Sequence, residues 1–559
     1  MGMRLTATMR NTGGALWQIL DKAAHDPCAA QTRLLANILR HNRGAKYGQH
    51  HDFARIRNNN DFIKAVPVNT FADLASYVEK IKNGQTNILT ADAPILFNVT
   101  SGTSDQPKFI PVTRRGWRVM TQVSRLWLCR ALQDHPAFLS QSLFVILGAP
   151  VEGITPSGIP YGSASGMIRE GLPRVLRQSL VLPPAISAIE DYDARYYLMA
   201  RFALENNVSF IATPNPTTLL RIVDTVLRHQ HEIIRAIHDG VVFHTWPFDT
   251  GAGDGRIMDA LGKSLKPNRT RAHFLEAIIR RQGKLSPIAC WRELKLIGCW
   301  LGGSVGVQAE KLDAFFGTDT PKRDLGYLAS EGSMTVPFKD NTAAGILALH
   351  SNYYEFIPES EPSTPHGILP RCHELEPGKR YRVVLTNWNG LYRYDIGDVI
   401  EVQEFHHQAP IIAFVQKSGD MLNITGEKLH VNHLLTALQR MKKELNVTAT
   451  QFRMVPDLTK VRYEFLLRLA PEPSLKFIRD TILPFIDTCL CEANIEYRGK
   501  RKSKRLLPPC IHIMAPGWEE NVRKHFLATG RRDLQYKWAA TAQSISKLDS
   551  QHIRGTVQA

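Results

Sequence analysis

The chain has 559 residues, of which 43% are hydrophobic and 22% charged, with a formal net charge of +17. This is the composition of an ordinary globular protein with a sizeable core, and it argues against long disordered stretches. The length suits one large and one small domain. No window reaches 18 consecutive apolar residues, so no membrane span is expected. Residues 1–28 lack an apolar core followed by a small-residue cleavage site, so no signal peptide is expected; the formal myristoylation match at Gly2 reads as an ordinary start. The eight cysteines show no C-x-x-C pair, which argues for reduced thiols and a cytoplasmic protein, with no zinc site. Positive charge concentrates in residues 498–505. No nucleic-acid module or interleaved aromatics accompany that run, so it reads as a solvated loop and nucleic-acid binding is not expected.

Residues 15–78 read mostly as helix, with Leu34, Leu35, Ile38 and Leu39 at helical spacing. Short β-branched or apolar runs at 142–148, 209–216 and 294–301 read as buried strands. Helical stretches at 191–205 and 217–237 lie between them, and this alternation argues for α/β architecture. A helix over 117–132, carrying Trp117, Met120 and Trp127, is either a plain core helix or one wall of a substrate pocket. From about Gly378 the texture changes. Residues 381–386 and 391–402 read as a strand pair or small barrel joined by the turn Asn387-Trp-Asn-Gly390. A loop follows at 416–420, then a helix over 427–445. The expected fold is therefore mixed α/β. A large N-terminal domain, 1–418, holds helix-flanked sheets and a small barrel-like part, and a smaller α+β domain, 419–559, follows it. No internal repeat is evident.

Three segments and one rival motif carry candidate chemistry. In Asn98-Val-Thr-Ser-Gly-Thr-Ser-Asp-Gln-Pro-Lys108, the residues Thr100, Ser101, Gly102, Thr103 and Ser104 form a hydroxyl-rich turn between two apolar runs. Such a turn offers N–H and O–H donors to phosphate oxygens, and Lys108 adds positive charge. The alternative is a plain polar turn. The Walker and Rossmann glycine loops are both absent. In Asp324-Leu-Gly-Tyr-Leu-Ala-Ser-Glu-Gly-Ser-Met334, small residues let a purine approach the backbone at Tyr327, Leu328, Ala329 and Ser330. Glu331 is a hard oxygen ligand for Mg2+. In Tyr392-Arg-Tyr-Asp-Ile-Gly-Asp398, Asp398 can accept two ribose hydroxyls. Asp395 competes for that role, unless these carboxylates merely pair with Arg382 or Arg393. The rival is Gly302-Gly-Ser-Val-Gly306, a G-x-S-x-G that would make Ser304 a hydrolase nucleophile with Asp398 and His430.

In this order the three segments resemble those of the adenylate-forming superfamily of acyl-CoA synthetases, adenylation domains and luciferases. The closer likeness is to the Gretchen Hagen 3 family of acyl acid amido synthetases, the auxin-conjugating enzymes. It extends to the lead-in at 66–84 and to Gln535-Tyr-Lys537, and so spans nearly the whole chain. The resemblance implies a two-step ligation. ATP and a carboxylic acid form an acyl-adenylate and pyrophosphate; an amino acid amine then takes the acyl group and AMP leaves. It places Ser101 and Thr103 on phosphate oxygens, with Thr100, Gly102 and Ser104 in the same nucleotide-binding turn, and Gly303, Ser304 and residues 327–330 around adenine. Glu331 falls on Mg2+ and Asp398 on the ribose. Lys417 completes the nucleotide set, while Lys108, Lys428 and Lys537 become the catalytic cations. The C-terminal domain becomes a mobile lid turning about 417–420.

Two departures from the plant pattern stand out. Asp105-Gln106-Pro107 replaces a second glycine in the phosphate turn, and Pro107 has no N–H to donate. The segment Thr425-Gly-Glu-Lys428 also differs. The expected partners are a small carboxylic acid and an amino acid, acting on a monomer without a membrane. The alternatives are an acyl-CoA-type ligase and the Ser304 hydrolase.

Overall fold

The structure is a computed structural model that describes residues 2–100, 108–148, 151–162, 166, 169, 171–189, 191–244, 252–359, 361–362, 364–417, 421–422, 424, 427, 429–502, 506–528, 536 and 538–558. For residues 2–12, 100, 192, 252–254, 304–305, 307–308, 416–417, 421 and 495–496 the description covers the backbone alone. The chain divides into two compact units, Met1–Gln416 and Lys417–Ala559.

Three sheets organise the N-terminal unit. The first consists of β1 (Pro94–Thr100), β2 (Lys108–Thr113), β4 (Gly153–Ile154) and β5 (Pro160–Gly162) in the order β2-β1-β5-β4. The second is parallel, with β3 (Ser142–Val145), β6 (Val208–Ala212), β7 (Leu296–Gly298) and β8 (Lys322–Arg323) side by side. Parallel neighbours need crossover connections. The helices Tyr192–Glu205 and Pro216–Asp239 lie in the first two, as the alternating sequence pattern requires, and the helix Gly303–Glu310 lies in the third. Helix Pro216–Asp239 shows why the chain folds so locally. Asn215 caps its first turn by accepting from Thr217 N, Pro216 starts it, and Leu219, Ile222, Val223, Val226, Ile233, Ile234 and Ile237 make one buried stripe. All five residues of β6 are buried, as expected for a strand covered on both faces.

The third sheet has six strands: β11 (Thr335–Val336), β12 (Gly345–Leu347), β13 (Tyr353–Pro358), β14 (Arg380–Thr386), β15 (Tyr394–His406) and β16 (Ala409–Lys417). Their order is β11-β12-β16-β15-β14-β13. A two-stranded hairpin, β9 (Leu328–Ala329) with β10 (Gly332–Ser333), precedes it. The expected strand 391–402 begins only at Tyr394. Arg393 takes φ +43°, and its buried guanidinium bonds Glu355 and the carbonyls of Val66, Pro365 and Gly367, so this stretch is an anchored loop. Helix Arg114–Asp134 covers the predicted 117–132. Its Trp127 packs in the core against Phe210, with ring centroids 6.1 Å apart, as the core-helix alternative expects of that residue.

In the C-terminal unit, β19 (Thr448–Asp457), β20 (Arg462–Ala470), β21 (Cys510–Met514) and β22 (Ile553–Gln558) form one sheet in that order. Helices Val431–Leu445 and Leu483–Ala493 share an apolar core with Phe465, Leu467, Ile511 and Ile513 of this sheet. Leu466 and Met514 instead pack with Trp518. A short pair, β17 (Met421–Leu422) with β18 (Leu429–His430), lies before the first helix. The helix expected from 427 therefore starts at Val431. Glu427 instead accepts from Ile424 N and from the hydroxyl of Tyr463. The basic run is also not simply a loop: its residues 498–502 end the helix Ile495–Lys502, and Arg501 makes a two-pronged pair with Asp487. No described helix is long and apolar enough to cross a membrane.

Candidate active site

β1 and β2 pair antiparallel, ending with Thr100 opposite Lys108. The hydroxyl turn thus connects two paired strands. Ser101, Gly102, Thr103 and Ser104 themselves lie outside the described residues, and of Thr100 only the backbone is described. Lys108 is half-buried, its ammonium 5.8 Å from the ring centroid of Phe71. Two residues before Thr100, the buried Asn98 donates from Nδ2 to the carbonyl of Ser330 at 2.9 Å. This bond ties the strand that enters the hydroxyl turn to the segment 327–331.

That segment is the hairpin β9–β10 with Ser330 and Glu331 at its turn. Tyr327 N donates to Thr335 Oγ1 at 2.9 Å, and Asn387 Nδ2 donates to the Glu331 carbonyl at 2.9 Å. The backbone around Ser330 and Glu331 is therefore held from two sides. Glu331 is only 9% exposed. Tyr327 is buried and its hydroxyl donates to Asp398 Oδ2 at 2.7 Å. Burial pushes the Tyr327 phenol well above its ordinary value, and the Asp398 and Glu331 carboxylates push it further, so it remains a proton donor.

The register of β14 against β15 explains why Asp398, and not Asp395, meets Tyr327. Between the pairs Arg382↔Val399 and Val384↔Asp395, one residue of β14 faces three of β15. The extra residues form a bulge at Ile396, Gly397 and Asp398, with Gly397 at φ +69°, a conformation that side chains disfavour. Asp395 stays with the strand scaffold: Oδ1 accepts from Gly397 N at 2.8 Å, and Oδ2 lies 3.5 Å from Arg382. The suggested Arg382 pairing therefore applies to Asp395, while Arg393 serves Glu355.

Gly303 opens the helix Gly303–Glu310 with φ +61°, and a Cβ there would come 3.1 Å from the Phe414 ring. Phe414 in turn lies 5.5 Å from the Tyr327 ring, centroid to centroid. Gly303, Phe414, Tyr327 and Asp398 thus form one contiguous wall. Ser304 sits inside the helix, five residues and more beyond the end of β7, and its side chain is not among those described. A nucleophile elbow needs its serine at the strand-to-helix turn itself. Of the lysine candidates, Lys417 ends β16 with only its backbone described, and Lys428 and Lys537 lie outside the described residues.

The motif reading missed three positioning residues. Asp324 accepts from Leu301 N and from Gly326 N, both at 2.7 Å, so it pins the approach to Gly303 against the approach to Tyr327. Burial pushes its carboxyl up to about 7, against the pull of those two N–H groups. Asn98 and Asn387 are the others. The only available signal for them was a polar residue inside an otherwise apolar strand or turn.

The family comparison fits this arrangement of the whole chain. Residues 17–321 match the GH3 family N-terminal domain, 345–417 the GH3 family central domain and 432–544 the GH3 family C-terminal domain. The chain belongs to the GH3 family. Among GH3 relatives, it is 25% identical over 557 residues to a jasmonoyl–L-amino acid synthetase, GH3.5, of Oryza sativa subsp. japonica, covering 92% of each chain. The solved GH3.15 acyl acid amido synthetase superposes with a TM-score of 0.82 at 21% identity, over 97% of this chain and 96% of that one. A more distant fold likeness links the GH3 chain to 2-hydroxyisobutyryl-CoA ligase solved with 2-HIB-AMP, with a TM-score of 0.52 at 14% identity, over 91% and 88% of the two chains. The expected family and mixed α/β fold are therefore both met.

Proposed function

We propose that this chain is an ATP-dependent acyl acid amido synthetase: it adenylates a small carboxylic acid, then passes the acyl group to an amino acid amine. The observation that carries this reading is the pair of bonds Asn98–Ser330 and Tyr327–Asp398. They join the edge of the hydroxyl turn, the hairpin 327–331 and the β15 bulge, three stretches far apart in sequence. GH3 membership supports the reaction class.

In this reading Ser101 and Thr103 donate to phosphate oxygens, with Thr100, Gly102 and Ser104 shaping the turn. Gly303, Ser304 and residues 327–330 flank adenine. Asp398, held by the Tyr327 hydroxyl, accepts from the ribose, and Lys417 borders the nucleotide. The Glu331 carboxylate is a hard oxygen donor next in the chain to Ser330, whose carbonyl Asn98 holds, and its chemistry fits Mg2+; bound there, Mg2+ would neutralise phosphate charge. The acid's carboxylate attacks the α-phosphorus and pyrophosphate leaves. Lys108 and Lys428 stabilise the charge that gathers on phosphorus. An amine then attacks the acyl carbon, and AMP departs. The C-terminal unit acts as a lid bringing Lys537 to one of the two steps.

The substrates named for GH3 relatives, jasmonate and indole-3-acetic acid, suggest a carboxylic acid of jasmonate or aryl-acid type. The deciding experiment adds ATP, Mg2+ and a panel of such acids, and measures pyrophosphate. Release with at least one acid, followed by an amide product with one amino acid, is the expected result. Silence across the panel, or coenzyme A serving as acceptor where every amino acid fails, would sink the amide-ligase reading.

A further inference from the structure

The C-terminal unit contains a second chemical cluster that the ligation does not use. Glu464 on β20 and Cys510 on β21 are direct cross-strand partners, and His512 lies two residues further along β21. With a two-residue side-chain period, all three point to one face of the sheet, away from the core that takes Phe465, Ile511 and Ile513. Thr556 on β22 pairs with His512 and shares that face. Cys510 is 0% exposed, and Glu464 and His512 are 8% exposed each.

Their donor atoms converge. His512 Nε2 lies 3.8 Å from Cys510 Sγ and 3.5 Å from Glu464 Oε2, and the three ligand atoms are all within 4.8 Å of one another. Bond lengths of about 2.3 Å to sulfur and about 2.0–2.1 Å to nitrogen and oxygen give tetrahedral zinc edges of about 3.6 Å for S–N and about 3.4 Å for N–O. The two edges that meet at His512 Nε2, 3.8 Å and 3.5 Å, match those of a tetrahedral face to within about 0.2 Å. The surroundings suit it as well. His512 Nδ1 contacts Thr556 Oγ1 at 2.9 Å, which turns the ring so that Nε2 faces the cluster. Arg462 lies 3.3 Å from the other Glu464 oxygen, Oε1, and is itself flanked by Asp457, which leaves Oε2 for the cluster.

We propose that Glu464, Cys510 and His512 bind one zinc-class divalent ion that ties β20 to β21 in the C-terminal unit. A thiolate, an imidazole and a carboxylate are the donor set that borderline-soft Zn2+ takes, and thiolate disfavours Mg2+. The thiolate and carboxylate charges balance the ion, and solvent or a small ligand takes the fourth position. The site is independent of adenylation and stands or falls without it.

The test uses the full chain without a polyhistidine tag, stripped with chelator and titrated with Co2+ and then Zn2+. We expect one equivalent of Co2+, with a thiolate-to-cobalt charge-transfer band that Zn2+ abolishes. Cys510→Ser should remove the band, and His512→Ala should weaken Co2+ binding at least tenfold. His407→Ala, which disrupts the cluster of half-buried Asp21 with exposed His25 and His407, should leave the band intact. Absence of the band in the natural chain overturns the proposal whatever the variants do. So does a band that survives Cys510→Ser, or one lost with His407→Ala.

Discussion

The hydroxyl of Tyr327 donates to Asp398 Oδ2 at 2.7 Å, joining residues 71 apart in sequence inside a buried wall. Removing the donor from a buried carboxylate costs about 1–3 kcal/mol. Tyr327→Phe should therefore raise the KM for ATP several-fold in pyrophosphate release while sparing kcat more. Asp398→Ala removes the proposed ribose acceptor itself and should raise that KM at least tenfold, about 1.4 kcal/mol. An unchanged KM in both variants would take Asp398 out of the nucleotide site.

Asn387 fixes the Glu331 carbonyl, and the Glu331 side chain is the Mg2+ candidate. Glu331→Ala should slow adenylation at least tenfold, about 1.4 kcal/mol of barrier, with a higher Mg2+ requirement. Asn387→Ala should give a smaller loss with the same shift in Mg2+ dependence, because it acts through position. Magnesium titrations of pyrophosphate release would show both; a loss in Asn387→Ala with no Mg2+ shift would mean a general folding defect.

The Arg393–Glu355 pair, at 3.0 Å with exposures of 0% and 1%, supports the loop that leads into β15. Breaking one partner of a buried ion pair costs about 3–5 kcal/mol. Arg393→Met should therefore lower the melting temperature markedly, and Arg393→Met with Glu355→Gln should recover part of the loss. Thermal melts of the three chains check it, and equal melting of the natural chain and Arg393→Met would refute it.

Asp324 gives a pH signature. Its carboxyl titrates at about 7 in the folded chain because burial disfavours the charge, whereas an unfolded aspartate titrates near ~3.9. The folded chain holds this proton more tightly, so the contribution is full below about pH 4 and is lost as pH rises through about 7. Asp324→Asn removes that titration. Melting temperature should fall less for this variant than for the natural chain between about pH 5 and about pH 8. Parallel pH profiles for the two chains would show that Asp324 is ionised throughout.

The α/β architecture was legible because apolar stripes at helical spacing and short buried runs depend only on neighbours in the chain. The helix Pro216–Asp239 carries its cap, its proline start and its buried stripe within one stretch. Local signals failed where a distant group intervened. Residues 391–393 read as strand, yet Arg393 reaches across to Glu355 and three carbonyls and takes a left-handed backbone. Glu427 read as a helix start, yet the hydroxyl of Tyr463 on β20 donates to its carboxylate and the helix begins at Val431.

The amino-acid order alone determined the hydroxyl turn, the small-residue segment ending in Glu331 and the glycine ahead of Asp398. Contiguous residue types encode those chemistries, and the order of the segments carries the family. Only the tertiary structure gives the two carboxylates of that last motif different partners. The bulge at 396–398 aims Asp398 at Tyr327 and leaves Asp395 with Arg382. That choice depends on strand register and on a partner from another element, which no local spacing records. The same holds for Glu464, Cys510 and His512, whose convergence exists only once β20 and β21 pair in register.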